Sequence, residues 1–63
     1  MDEELYSRAL EIAGHEEKVS VMFFQRKMGI GWGQAQRIVM RMVEDQIISA
    51  PTTPGVPLKV LPR

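Results

Sequence analysis

The sequence predicts a small α+β fold, mainly helical, made of three helices and one β-hairpin. Three observations lead there. Apolar residues recur at helical spacing in three separate segments. Glycines punctuate the ends of the first two segments. Beyond the third, an apolar pair and a short alternating run bracket a loop rich in proline.

Residues 2–13 read as the first helix. Asp2 is placed to cap it, and Glu3 and Glu4 suit the positive end of the helix dipole. Leu5, Ala9 and Ile12 form its expected apolar stripe, and Gly14 is its expected stop. His15 to Lys18 read as a polar turn. Val19-Ser20-Val21 read as a short strand running into a second helix, with Ser20 as a possible N-cap. That second helix spans Ser20 to about Met28. Gly29-Ile30-Gly31 then form a tight turn, with left-handed backbone open at either glycine.

Trp32 to about Gln46 read as the third helix, with Ala35, Ile38, Val39, Met42 and Val43 on its apolar side. Ile47-Ile48 suit a strand. Three prolines and a glycine between Ala50 and Pro57 exclude a helix there. Leu58 to Leu61 alternate as a returning strand, and Pro62 ends it. The methionines at 22, 28 and 42 read as core filler, with Met40 between the apolar and polar faces. This order is that of a winged helix-turn-helix: a helix-turn-helix followed by a β-hairpin wing.

Composition narrows the function. With 63 residues the chain holds one domain, expected to occupy 1–63. No cysteine is present, so a disulfide framework, a thiolate nucleophile and a Cys-ligated zinc are excluded. A single histidine is too few for a His-rich metal site. The glycines from 29 to 33 lack the Lys-Ser/Thr ending of a phosphate-binding P-loop. No nucleophile–base pair is evident. The expectation is therefore a non-enzyme, with no cofactor, metal or small-molecule substrate. No apolar run has the length of a membrane span, and no signal-peptide pattern is seen, so a cytoplasmic module without direct membrane contact is expected.

Eight basic and eight acidic side chains give a net charge of zero, but they are segregated. Residues 1–17 carry six acids and one arginine, net −5. Residues 18–43 carry five bases and no acid, net +5. A basic segment of this kind is an electrostatic footprint for phosphates. In a helix-turn-helix the second helix of the unit lies in the major groove, with its first residues at base edges. Here those residues are Trp32, Gly33, Gln34, Gln36 and Arg37. Arg pairs bidentately with guanine and Gln with adenine, so Gln34 and Arg37 are the expected base readers. Arg26, Lys27, Arg41 and Lys59 are the expected phosphate contacts. For Arg41 the competing expectation is an ion pair with Asp45, four residues on. Trp32 competes between DNA and the core edge.

These residues resemble a known family. The run from Ser20 to Trp32, followed by Ala35, Arg37-Ile38-Val39 and Met42-Val43-Glu44, is similar to the C-terminal gamma domain of the FtsK/SpoIIIE DNA translocases. Asp2 to Tyr6, Ile47 to Pro51 and Gly55 to Leu61 extend the resemblance over nearly the whole chain. It implies a winged helix that binds short polar motifs on double-stranded DNA and orients the loading of a hexameric motor. It also implies contact with a tyrosine recombinase, and a parent protein that carries a separate motor domain and is attached to the inner membrane. On this reading the chain is excised from the C-terminus of a larger translocase. Four places depart from the family pattern. Gly33-Gln34 stand where Asn-Arg is common, and Gly29 where a basic residue is frequent. Leu58 and Lys59 replace a basic and an acidic wing residue, and Gln46 stands where glycine is usual. Gln34 would then favour adenine. The alternatives are a winged helix used for protein contact and a small transcriptional regulator, the latter disfavoured because no dimerisation helix is evident.

Overall fold

The computed structural model describes residues 3–51 and 56–62. The predicted cap Asp2 and residues 52–55 of the predicted loop lie outside them. The elements run α1 (Glu3–Ala13), β1 (Lys18–Val19), α2 (Val21–Met28), α3 (Trp32–Glu44) and β2 (Leu58–Lys59). This is the three-helix, small-sheet architecture of a winged helix.

The helix boundaries follow from local chemistry. The Ser20 hydroxyl accepts a hydrogen bond from the Phe23 amide at 3.1 Å, capping α2. Ser20 and Val21 thus leave the predicted strand for the helix start, and β1 is confined to Lys18–Val19. Gly29 closes α2 in the left-handed region (φ 63°), with its amide and that of Ile30 returning to the Gln25 carbonyl. α3 ends two residues before the predicted limit. Gln46 takes the left-handed position (φ 60°), and the Ile47 amide reaches back to the Met42 carbonyl at 2.8 Å. That is a Schellman closure built on a non-glycine residue.

The core is one cluster. Phe24, Ile38, Met42, Ile48 and Val19 are its largest fully buried side chains. The α3 stripe is as predicted, with Ala35, Ile38, Val39 and Met42 all buried. α1 differs: Tyr6, Ala9 and Ala13 are buried, whereas Leu5 and Ile12 only pack against the edge. The aromatic ring covers more apolar area than either aliphatic neighbour, so it takes the inward position. Met22 is also not core filler; it is 62% exposed.

The returning segment is the middle of the sheet. On one side it pairs with β1 in antiparallel register, Lys18 opposite Lys59 and Val19 opposite Leu58. On the other, Ile48 forms a bridge with Val60. The Ser49 amide donates to the Lys59 carbonyl and the Leu61 amide to the Ile47 carbonyl, both at 2.9 Å. The two predicted wing arms therefore meet, and β1 adds a third arm that the hairpin expectation did not include.

Candidate nucleic-acid interface

α3 presents its buried stripe to the core and, opposite it, Gly33, Arg37, Met40 and Glu44 to solvent. Arg37 sits centrally on that face. No ion pair engages it among the described residues. Gly33 lies one turn before Arg37, and a methyl group added there would meet nothing. The helix surface is therefore open at Gly33, beside the arginine.

Gln34 is exposed and already has a local task. Its Oε1 accepts from the Gly31 amide at 3.3 Å, one half of a reciprocal cap. Gly31 has no side chain to supply the other half. The amide nitrogen of Gln34 is left to reach outward. Arg26 and Lys27 are exposed on the last turn of α2, which carries no acid in its first turn.

Arg41 is held within the fold. Its guanidinium donates to both Glu3 carboxylate oxygens, at 2.7 and 3.2 Å, and lies 4.1 Å from the centre of the Tyr6 ring. Asp45 is 3.7 Å from its Nε and accepts from the Tyr6 hydroxyl at 2.7 Å. The pairing with Asp45 was legible from their spacing, but Glu3 and Tyr6 come from α1 and were not. The hydrogen bond from Arg41, and then its charge, hold the Glu3 carboxyl below its ordinary range. Burial, with the hydrogen bond to Asp45 second, pushes the Tyr6 phenol up to about 12.

Trp32 is 55% exposed and lines a groove of about 510 Å³ between α3, the start of α2 and the wing. Met22, Met40 and Val56 line the same groove, so the exposed large hydrophobics of the described residues converge there. Among the described residues that line it, none is charged. Lys59 is exposed on β2, with Lys18 beside it across the sheet. Lys18 was read as part of a turn and as one base of the acid-free segment; its register with Lys59 is a product of the fold. No group of three or more metal-ligating residues occurs among the described residues. Among the described residues no helix is long and apolar enough to cross a membrane.

A helix-turn-helix backed by a three-armed sheet defines a winged-helix domain, and an open arginine lies on its last helix. Residues 1–56 match the family described as the FtsK gamma domain. The chain belongs to that family. It is 37% identical over all 63 residues to the DNA translocase FtsK of Rickettsia typhi and equally to that of Rickettsia prowazekii. To the DNA translocase FtsK of Rickettsia bellii it is 36% identical over 62 residues, 98% of the chain. The chain spans about 8% of the length of these relatives. No solved structure matches it.

Proposed function

We propose that the domain is the DNA-recognition module of a chromosome-segregation translocase and works by binding duplex DNA rather than by catalysis. The observation that carries this reading is Arg37, without an ion pair among the described residues, beside the bare surface of Gly33 near the start of α3, within a stretch of 26 residues that has no acid. The bare position at Gly33 lets the backbone come close to the groove floor at that point. Arg37 then reads guanine, and Gln34 uses its free amide nitrogen in reading a neighbouring base. Arg26, Lys27 and Lys59 hold phosphates, and Trp32 flanks the backbone. Arg41 supports the reading helix through α1 instead of touching DNA. The parent protein would bring the motor domain, the membrane attachment and the polar DNA motifs that orient its loading.

The test is duplex binding across a salt series and a library of single-base variants. Each phosphate contact contributes about −0.9 to the slope of log K against log salt. Arg37→Gln is expected to flatten one position of the motif by about 1–3 kcal/mol of discrimination. Absence of duplex binding at low salt would overturn the proposal. Tandem copies belong in the assay, because tethering multiplies weak sites.

A second reading, protein contact, draws on the apolar groove under Trp32 and Met40. Contact with a tyrosine recombinase fits there. Met40→Lys should then abolish recombinase binding and leave duplex affinity no weaker.

A further inference from the structure

We propose that Lys18 and Lys59 together form a second phosphate station on the outer face of the sheet, apart from the contacts of α3. The inference rests on the DNA-binding reading above and extends it to a residue, Lys18, that this reading does not use.

The register carries the argument. Lys18 and Lys59 are directly opposite each other across β1 and β2. Directly opposed residues of an antiparallel pair project from the same face, and like charges at that spacing destabilise the pair. Their neighbours Val19 and Leu58 alternate to the inner face, where Val19 is fully buried. Shifting the register by one would expose them, so the core holds the two lysines opposite each other on the outer face. No ion pair to either lysine is seen among the described residues, where Glu3 and Asp45 pair with Arg41.

The backbone beneath the pair is fixed on both sides. The Lys59 amide donates to the Ser49 hydroxyl at 3.1 Å, and the Ser49 amide returns to the Lys59 carbonyl at 2.9 Å. On the far side the Val60 amide donates to the Glu17 carbonyl at 2.8 Å. Ser49 continues the row Lys18–Lys59 onto the third arm, and its hydroxyl, accepting from Lys59, keeps a proton to donate. Two adjacent cations and a hydroxyl donor suit a phosphodiester. An anion there converts a repulsive pair into an attractive triad. The sheet thus holds the duplex backbone while α3 reads its bases, and the two contacts together set the angle at which the helix enters the groove.

The experiment is a salt series of duplex affinity for the wild-type chain, Lys18→Gln, Lys59→Gln, the double variant, Lys18→Arg and Arg37→Gln. Lys18→Gln is expected to flatten the salt slope by about 0.9 and to weaken binding roughly five- to tenfold at 0.1 M salt, equally on every duplex sequence. The double variant should lose about twice that slope, and Lys18→Arg should keep the wild-type slope. Without DNA, Lys18→Gln should melt no lower than wild type, because it relieves a like-charge pair. If Lys18→Gln binds like wild type while Arg37→Gln is weakened, the DNA reading stands and the lysine station is wrong. An equal loss in Lys18→Arg would overturn it too, since charge would not be the cause. Failure of the wild-type chain to bind any duplex would sink both.

Discussion

Two residues carry conformational costs that the rest of the chain tolerates. Gln46 occupies left-handed backbone at φ 60°, a region that costs an L-residue with a side chain about 1–2 kcal/mol. Gln46→Gly should therefore raise the unfolding free energy, by up to about 1 kcal/mol after the entropy cost of glycine, and chemical denaturation would measure it. A loss of stability would mean that the Gln46 side chain compensates its backbone. Gly33 is the converse case. It lies inside α3 with ordinary backbone and empty space where a methyl group would go. Gly33→Ala should stabilise the fold by roughly 0.5–1 kcal/mol. The same methyl group should reduce duplex affinity if the helix start approaches the groove floor. Opposite signs in the two measurements would separate a functional glycine from a merely tolerated one.

At the scale of elements, α1 is fastened to the end of α3 by one connected group of polar side chains. Arg41, Glu3, Asp45 and Tyr6 join residues up to 39 positions apart in sequence. The pH dependence follows from the two shifted groups. The Glu3 carboxyl is held low in the folded chain, so its contribution is complete above the ordinary carboxylate value and is lost as pH falls through the lowered folded value. The Tyr6 phenol is raised from 10 to about 12, so its contribution is complete below 10 and is lost as pH climbs toward 12. Tyr6→Phe should remove the alkaline limb of the stability profile and cost about 1–2 kcal/mol at neutral pH through the lost hydrogen bond. Glu3→Gln should flatten the acid limb. Thermal melts of both variants across pH would show it, and unchanged limbs would refute the linkage.

At the scale of the whole molecule, one small core supports every element. Phe24 is fully buried between the helices, edge-on to Phe23 with ring centres 5.2 Å apart. Truncating a buried phenylalanine costs about 3–5 kcal/mol, and a domain of this size has about that much stability in total. Phe24→Ala should therefore leave the chain largely unfolded at room temperature by circular dichroism. A cooperative fold surviving in that variant would show a core more redundant than the structure implies.

Much of this was legible without coordinates, because it depends on near neighbours. The Ser20 cap, the Gly29 stop and the buried stripe of α3 are set within one or two turns of chain, where spacing and residue type suffice. So is the segregation of charge that leaves residues 18–43 without an acid. The exposure of Arg37, Gln34 and the basic pair on α2 was legible, because their positions follow from helical phase. Tyr6 in the core, Glu3 on Arg41, the exposure of Met22 and the convergence of Trp32, Met40 and Val56 on one groove were not. Neither was the meeting of Lys18 with Lys59. Each joins segments far apart in the chain, and sequence spacing does not say which face meets which. Their partners are chosen when the returning segment inserts between β1 and the Ile48 arm, since burying Val19, Ile48 and Leu58 permits only one register. Local composition made this chain three helices with a basic middle. Burial of a shared core decided which of its charges pair with each other and which stand open for a partner.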